Sequence, residues 1–389
     1  MGLKGDQGTS RALNRRLVLD LLRRDGPKSR AEIASMTGLS PATVTFVVGD
    51  LIGENYLLEG KASAGATGRR PIPVKINYGA QLAVGLKFMV GSIAAVLTDL
   101  ATTPLEALTV PVLGTTPEAY VTASAKAVAR LLRDGTRPAA KVMGIGIAMP
   151  GIIDVATGMC RRSHRFGWVD VPITSMLAER VHVPVWLDDD TNAFALAQQL
   201  FGLGRQHRTA GVLAIGAGIS CAVVIDGAVH HGASGSAGKL GHCIHDPNGP
   251  ICECGRRGCL QAFYSEPAIV ERWRGARSKK LDRYDMMKAA DSGEENALGI
   301  LIEAGEAIGR HLADFCNLVD PEVVVVGGEG VAFGEHLLGP LRKSLAEHAL
   351  TAPPVLPDWQ VNSWERGAAA LATQQLFDFE AVPGLARGA

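Results

Sequence analysis

The sequence lacks long hydrophobic runs, and this absence argues against an integral membrane protein. Of its 389 residues 47% are hydrophobic, yet no apolar stretch reaches the roughly 18 residues that a membrane-spanning helix needs. A recognisable secretory signal is missing as well. We therefore expect a cytoplasmic protein with no membrane partner, whose 7 cysteines stay reduced instead of forming disulfides.

An excess of charge of one sign is also missing, because the formal net charge is +0 and only 20% of the residues are charged. The charge is unevenly distributed, however. Residues 1–80 contain 12 Lys and Arg against 7 Asp and Glu, so the remainder is acidic by the same amount. A basic N-terminal segment on a larger acidic one suggests a nucleic-acid-binding module joined to a different kind of domain. The chain length predicts two or three domains.

One imidazole and three thiols lie within a short segment that is rich in turn residues. His242 precedes a Pro-Asn-Gly-Pro turn, and Cys252, Cys254 and Cys259 follow it. Three thiolates and one imidazole are the ligand set of a closed, four-coordinate zinc site, which leaves no position for water. We therefore predict a structural Zn²⁺ bound by these four residues. The alternative is a set of reduced surface cysteines without a metal.

The first eighty residues show the spacing of three short helices. Apolar residues recur at helical spacing over residues 14–25, and Gly26 with the following proline ends that helix. Ser29 begins a capping box for a second helix, and Ser40 is a good N-cap for a third. Two short helices joined by a turn that contains glycine predict a helix-turn-helix, whose second helix enters the DNA major groove.

The exposed start of the third helix offers few groups that can distinguish bases. It contains Ser40, Thr43, Thr45 and Phe46, but no Arg, Asn or Gln for bidentate contacts with base edges. We expect these four residues to contact DNA, and we expect direct readout of the base sequence to be thin.

A wing is predicted beside the three helices. Residues 56–59 and 72–76 have the pattern of two strands around a loop of small residues, and Arg69 and Arg70 lie at the exit of that loop. Arginines on an extended segment suit a narrow, electronegative minor groove, so we assign both to DNA binding. The alternative is a small helical cap with a solvated loop.

From about residue 80 the pattern changes to apolar strands that alternate with amphipathic helices, which is typical of an α/β fold. Helices are predicted near residues 117–133, 171–180, 191–201 and 295–318. The predicted strands are Leu82–Leu86, Ser92–Leu97, Val142–Ala148, Val183–Leu187, Val212–Ile215, Cys221–Ile225 and Glu322–Val326. Two strands that start beside glycines suggest two similar halves with a cleft between them.

Several motifs together resemble the ROK family of repressors, open reading frames and sugar kinases. The most specific is Gly241-His242 followed by Cys252-Glu253-Cys254-Gly255-Arg256-Arg257-Gly258-Cys259, which resembles the family's zinc signature. The supporting motifs are Gly144 to Gly151, Gly167-Trp168, Asp188 to Ala193, Gly232 to Gly238 and Pro321 to Gly328. The resemblance implies the two-lobed fold of actin-like ATPases. It also implies a repressor, because the family's repressors have a winged helix in front of this domain and its kinases lack one.

Two departures from the family argue against a kinase. The first phosphate loop, Asp-x-Gly-x-Thr in ROK kinases, is replaced by residues 86–90, which have neither the glycine nor the hydroxyl. The second loop is Gly216-Ala217-Gly218, again without its hydroxyl. Asp190 aligns with the base that takes a proton from the sugar hydroxyl. Without a phosphate cradle, we expect Asp190 to bind a hydroxyl and not to catalyse.

The resemblance also places a sugar pocket at Asp189, Asp190, Lys239, His242 and Gln261. Three of these differ from the family's residues, since Asn has become Asp189 and two glutamates have become Lys239 and Gln261. An ammonium only donates hydrogen bonds, whereas a carboxylate accepts them from sugar hydroxyls. Two explanations stay open for Lys239: it faces the ligand and selects an acidic or phosphorylated sugar, or it pairs with Asp189 and reshapes the pocket.

These expectations combine into a sugar-responsive transcriptional repressor that binds operator DNA as a homodimer or tetramer. The predicted domains are a winged helix-turn-helix at 1–78, a first lobe at 79–195 to which a C-terminal helix at 362–389 returns, and a second lobe at 196–361 with the zinc loop at 242–259. Two alternatives stay open: a sugar kinase that uses Asp190 as its base, and a regulator whose pocket has decayed.

Overall fold

The computed structural model describes residues 7–61, 71–133, 141–277 and 280–377. Its N-terminal part consists of three helices and a small antiparallel sheet of strand order β1-β3-β2. The elements are α1 (Gln7–Asp25), β1 (Lys28–Ser29), α2 (Arg30–Thr37), α3 (Pro41–Gly53), β2 (Leu57–Glu59) and β3 (Pro73–Ile76). This is the winged helix-turn-helix that the sequence predicts.

The local sequence explains where these helices begin and end. The Ser29 hydroxyl accepts a hydrogen bond from the backbone N–H of Glu32, whose carboxylate accepts one from the backbone of Ser29, so the predicted capping box is confirmed. Gly38 ends α2 with φ of 73°, a left-handed conformation that glycine adopts at little cost. Buried apolar side chains of all three helices then form one core that includes Val18, Leu22, Ile33, Val44, Val48 and Leu51.

The first lobe is built on a five-stranded sheet with strand order β11-β7-β4-β5-β6. Its strands are β4 (Leu82–Met89), β5 (Ser92–Thr98), β6 (Pro104–Pro111), β7 (Val142–Met149) and β11 (Val185–Asp189). The helices α4 (Pro117–Leu131) and α5 (Ile173–Val181) contribute to the core on one face of the sheet. A short sheet of β8 (Ile152–Asp154), β9 (Met159–Ser163) and β10 (Trp168–Val171) extends the lobe.

The other face of this sheet is covered by α12 (Ser363–Phe377), the last described helix. The helix backbone lies so close that a Cβ on Gly85 or Gly146 would collide with the carbonyl of Glu365 or of Ala368. Alanines complete the contact, since Ala83 of the sheet clusters with Ala369 and Ala372 of α12. Small residues on both sides therefore fix the position of this helix.

The second lobe contains the other five-stranded sheet, with strand order β14-β13-β12-β15-β16. Its strands are β12 (Ala210–Ile215), β13 (Ile219–Ile225), β14 (Ala228–His230), β15 (Val323–Gly327) and β16 (Val355–Pro357). The helices that pack with it are α7 (Leu260–Tyr264), α8 (Glu266–Arg274), α9 (Arg283–Asp291), α10 (Glu295–Val319) and α11 (Glu335–His348).

The helix α6 (Asp190–Phe201) connects the two lobes and packs between them. Its Phe194 and Ala195 join the core of the second sheet, while Ala193 joins a cluster with Ala368 of α12. The strands and helices predicted after residue 80 are all present, with ends that differ by a few residues. Among the described residues no single helix has the length and apolar character to span a membrane; α2 and α3 meet those criteria only together, with a bend of 118° between them.

Candidate functional site

A cleft of about 1150 Å³ opens between the two lobes. The first lobe contributes the ends of β4 and β11 and the loop that begins at Pro150, and the second lobe contributes residues around Gly216 and the segment Lys239–Cys259. Parallel strands end at one edge of a sheet, and ligands of open α/β sheets bind at such edges. All five predicted pocket residues, namely Asp189, Asp190, Lys239, His242 and Gln261, line this cleft.

The carboxylate of Asp189 already has three hydrogen-bond donors within the protein. It is 3% exposed, and its carboxylate accepts hydrogen bonds from the backbone N–H groups of Gly151 and Thr191, both at 3.2 Å. The Lys239 ammonium donates to the same carboxylate at 2.6 Å. Asp189 therefore organises the floor of the cleft, and its lone pairs are largely occupied.

Lys239 forms an ion pair with Asp189, and this pair is one of the two possibilities that the sequence left open. Burial by itself would lower the pKa of Lys239, but the adjacent Asp189, together with Asp190 and Asp188, raises it above the ordinary value. The side chain therefore carries its charge at neutral pH. An ammonium has three N–H donors and Asp189 accepts from it at one position, so Lys239 has further donors for a molecule in the cleft.

Asp190 has a partner that the sequence reasoning missed. Lys87, near the end of β4, donates a short hydrogen bond to Oδ2 of Asp190, and both side chains are largely buried. Burial raises the pKa of Asp190, but the nearby cations, first Lys87 and then Lys239 and Arg165, together outweigh burial and set this pKa below its ordinary value. A carboxylate stabilised in this way is a poor proton acceptor. The remaining oxygen accepts a hydrogen bond from the Thr191 hydroxyl at 3.3 Å.

The side of the cleft around Gly216 presents a carboxylate. A Cβ on Gly216 would collide with Oε2 of Glu329, so this carboxylate lies directly against the Gly216-Ala217-Gly218 loop. Glu365 also lines the cleft, and burial raises the pKa of its carboxyl group. Met89 and Val90 also line this side and are 36% and 58% exposed. This side therefore offers apolar surface and negative charge to an incoming ligand.

Gln261 belongs both to the cleft and to the segment with the cysteines. Its amide NH₂ donates to the Glu253 carboxylate at 3.1 Å and lies 3.5 Å from Sγ of Cys252, and its carbonyl accepts from the N–H of Ile219 at 3.4 Å. Glu253 in turn accepts a hydrogen bond from Arg165 at 2.8 Å. Trp168 is buried in an aromatic cluster of the first lobe and donates to the carbonyl of Thr115, so it packs in the core.

The four predicted metal ligands converge in space. Their ligand atoms all lie within 4.8 Å of one another. Sγ of Cys252 is 3.7 Å from Nδ1 of His242, and Sγ of Cys254 is 3.8 Å from Sγ of Cys259. A tetrahedral zinc site with Zn–S bonds of about 2.3 Å has sulfurs about 3.8 Å apart, so the spacing fits that metal.

The loop conformation brings these ligands together. Gly255 and Gly258 have φ of 85° and 77°, and a Cβ on Gly258 would collide with the carbonyl of Asp246. Burial lowers the pKa of His242, so its imidazole is neutral near pH 7, which is the form that binds a metal. The donor set and its geometry together can hold one tetrahedral ion.

The predicted DNA-contacting residues of α3 lie on its outer face. Ser40 caps the helix, with the N–H of Thr43 donating to its hydroxyl at 3.1 Å, and the Thr45 hydroxyl donates to the carbonyl of Pro41 at 2.8 Å. Phe46 is 57% exposed, and the guanidinium of Arg11 stands 5.2 Å from its ring centre. Arg11 comes from α1, so no local pattern in α3 could have indicated it.

The wing arginines, Arg69 and Arg70, lie outside the described residues, and their assignment to DNA stays a prediction. The strands that flank the wing are present, because β2 and β3 pair antiparallel. One exposed arginine next to them, Arg30, is paired at 2.9 Å with Glu59 of β2.

Comparisons with known proteins agree with this arrangement. The model of the ROK family matches residues 84–377, and a model described as winged helix-turn-helix DNA-binding matches residues 11–57. The Xylose repressor of Bacillus spizizenii is 28% identical over 341 residues, which are 88% of each chain. The Glucokinase of Thermotoga maritima is 37% identical over 221 residues, which cover 53% of this chain and 70% of that one. The structure of a ROK family transcriptional regulator, described as a homolog of E. coli MLC protein, superposes with a TM-score of 0.81 at 22% identity and covers 95% of this chain and 98% of that one.

Proposed function

The chain belongs to the ROK family and has a winged helix-turn-helix in front of the family's domain, and we propose that it is a sugar-responsive transcriptional repressor. One observation carries the proposal. One side of the cleft carries groups that can bind sugar hydroxyls. In the same cleft Lys87 pairs with Asp190, where phosphoryl transfer would need a free base, and Glu329 lies against Gly216, where phosphoryl transfer would need a phosphate cradle.

The DNA-binding half of the proposal rests on α3 and the wing. A helix-turn-helix reads the major groove with its second helix, and a dimer reads two half-sites, so the operator is near-palindromic. Thr45 and Phe46 offer methyl and ring carbons for thymine methyl groups, while Arg69 and Arg70 supply charge for the minor groove. Specificity therefore rests largely on the shape of the DNA.

The sugar-binding half rests on groups that can both accept and donate hydrogen bonds. Asp190 accepts from a sugar hydroxyl, Lys239 donates, and the His242 ring nitrogen that faces away from the cysteines is available on the cleft side. Gln261 and Asp189 position these groups. Because each carboxylate of the floor is paired with a lysine, the pocket suits a neutral sugar more than an acidic or phosphorylated one.

We propose that the ion held by His242, Cys252, Cys254 and Cys259 is a structural Zn²⁺. The sulfur spacing and the neutral imidazole support this choice. The metal would fix the segment that contains His242 and precedes Gln261, so that both side chains meet the sugar from one rigid support.

We propose that the chain does not act as a kinase. Lys87 stabilises the charged form of Asp190 and so weakens it as a base, and Glu329 repels the phosphates that the Gly216 loop would have to hold. Neither of these features depends on the missing loop hydroxyls, so they disfavour catalysis independently.

We propose the division into domains that the sequence suggests, with one refinement. The winged helix-turn-helix takes residues 1–78, and the first lobe takes 79–195 together with the returning segment 362–389, of which α12 (Ser363–Phe377) is the described helix. The second lobe at 196–361 better begins after Phe201, because α6 is one continuous helix. We propose that the protein acts in the cytoplasm as a homodimer or tetramer, because a repressor of this kind binds two half-sites of its operator.

The proposal is tested with the full-length chain and a labelled duplex from its own promoter region. We expect retardation or an anisotropy change at nanomolar protein, and a shift in operator affinity when one sugar of a panel that includes D-xylose and D-glucose is added. A sugar at a hundred times its dissociation constant should also raise the free energy of unfolding by about 2.7 kcal/mol. Sustained sugar-dependent ADP release in a coupled assay would instead support the kinase, and absence of DNA binding would refute the repressor.

A further inference from the structure

Two helices run from the cleft to the DNA-binding part of the protein, and each begins at the cleft. Asp190 is the first residue of α6, and Trp364 is the second residue of α12. Lys87 contacts both, because it forms the ion pair with Asp190 and its ammonium stands 4.9 Å from the centre of the Trp364 ring. One cation in the cleft therefore holds the start of both helices.

The far ends of the same helices also meet at one cation. Arg23 of α1 donates hydrogen bonds to the carbonyl oxygens of Leu200 and Gln199 at 2.6 and 3.4 Å, in the last turn of α6. Its guanidinium also lies 5.7 Å from the ring centre of Phe377, the last residue of α12. Free carbonyl groups and the negative end of the helix dipole both favour a cation at this position.

Between these ends the two helices pack as one body. A Cβ on Gly367 of α12 would lie 2.8 Å from backbone atoms of Ala193 and Phe194 in α6, so the backbones approach very closely. Further along, Ala197 and Ala370 belong to the core cluster of the winged helix-turn-helix. Small side chains leave little freedom for one helix to move without the other.

We propose that the α6–α12 pair transmits the state of the sugar cleft to the DNA-binding domain, and that Arg23 is the positioning residue that couples them. The inference rests on the proposed function and adds the path by which sugar binding affects the DNA-binding domain. A sugar hydroxyl that binds Asp190 competes with Lys87. It therefore changes the contacts that fix the first residues of α6 and α12. Because the pair is stiff, its far end moves with it, and Arg23 carries that movement into α1.

The test is a double-mutant cycle with operator affinity as the readout. One variant, K87M/D190N, replaces the cleft ion pair without leaving an unpaired charge, and the other, R23M, removes the link at the far end. A 12-residue helix is about 18 Å long, and substitutions that far apart are additive unless something couples them. We expect K87M/D190N to change the operator dissociation constant at least about fivefold in the parent chain and much less in R23M.

Matched controls separate coupling from general damage. Arg24 is the neighbouring residue, its side chain is 52% exposed and it pairs with Asp25, so R24M should leave the effect of K87M/D190N unchanged. R23K retains a donor and a charge at the α6 terminus and should restore part of the response. An equal effect of K87M/D190N in the parent and R23M backgrounds, or no effect in either, would overturn the proposal.

A second readout needs no DNA, so it separates this inference from the proposed function. Hydrogen exchange of the α1 amides around Arg23 is compared between the parent chain and K87M/D190N, with R24M as a reference. We expect K87M/D190N to change the exchange rates of these α1 amides by about fivefold, in either direction. We expect no such change when both proteins also carry R23M. Unchanged α1 exchange would refute the coupling even if the chain binds its operator.

Discussion

The two sides of the cleft present different chemistry to a ligand. On the side that we propose for the sugar, Asp190, Lys239 and His242 offer polar groups, and hydrogen bonds to Asp189 and Glu253 hold Lys239 and Gln261. On the opposite side, here called the nucleotide side, the cleft presents Met89, Val90 and Glu329. Under the proposed function the cleft therefore binds a sugar and does not transfer a phosphoryl group.

The comparison indicates that a few side chains can separate a cleft that only binds a sugar from a cleft that phosphorylates it. Two unit charges about 4 Å apart at an effective dielectric constant of about 20 interact with about 4 kcal/mol. A carboxylate such as Glu329 beside a bound phosphate thus lowers the affinity of the cleft for that phosphate by up to about a thousandfold. The sheets and helices need no change for this, and the fold is the same as in a ROK regulator.

The largest expected effect tests whether the sugar side depends on the metal. Structural zinc provides about 10–16 kcal/mol in small zinc-binding peptides, so C259S or chelation should lower the melting temperature strongly and abolish sugar binding. Metal content and melting are measured together, with the exposed Cys243, replaced in C243S, as the control. An unchanged melting curve after complete metal loss would contradict the prediction.

The next effect compares the two sides directly. D190A removes a charged acceptor for a sugar hydroxyl and should weaken sugar affinity by about 10- to 100-fold, as expected for a hydrogen bond to a charged group. E329A lies on the opposite side and should leave sugar affinity within about twofold. Isothermal titration of both variants with the same sugar gives the comparison, and equal losses would show that the two sides are not independent.

A smaller effect concerns the nucleotide side alone. E329Q removes one negative charge next to the Gly216 loop, so the affinity for tripolyphosphate should rise by about tenfold from a very weak starting value. Because Lys87 still binds Asp190, turnover with ATP and sugar should stay at background in this variant. Detectable sugar-dependent turnover in E329Q would show that Lys87 does not disable the base.

The smallest effect is an expected constancy with pH. The pKa of Asp190 lies below its ordinary value, so this group protonates only in acid, and the pKa of Lys239 lies above its ordinary value, so it loses its proton only in strong base. Sugar affinity should therefore be flat between about pH 6.5 and 9. A steep rise in affinity across that range would contradict the prediction and would indicate that a carboxyl group of the pocket loses its proton there, with Asp189 as the first candidate because burial raises its pKa.

Much of this comparison could be predicted from the sequence, where the signals are local. Helical spacing and caps predicted α1 to α3, continuous apolar runs predicted most strands after residue 80, and the close spacing of His242 and three cysteines indicated their convergence. The pairing of Lys239 with Asp189 was one of two explanations, and local sequence could not choose between them. The choice depends on the burial of both groups.

The contacts on which our proposal against a kinase rests could not be predicted from local sequence. Lys87 and Asp190 are 103 residues apart, and only the order of strands in the first sheet brings their ends together. Glu329 reaches the Gly216 loop because β12 and β15 are parallel neighbours. Arg23 meets α6 and α12 in the same way, through packing of whole helices, and no spacing within α1 indicates it.

The closely seated α12 has a consequence for synthesis of the protein. The sheet face of Ala83, Gly85 and Gly146 is translated early, whereas the helix that covers it comes last among the described elements. A nascent chain therefore exposes this strip of small residues until α12 has been made. Until then the sheet of the first lobe has only one covered face, and the core of the winged helix-turn-helix, which includes Ala370 and Phe377 of α12, is incomplete until that helix is in place.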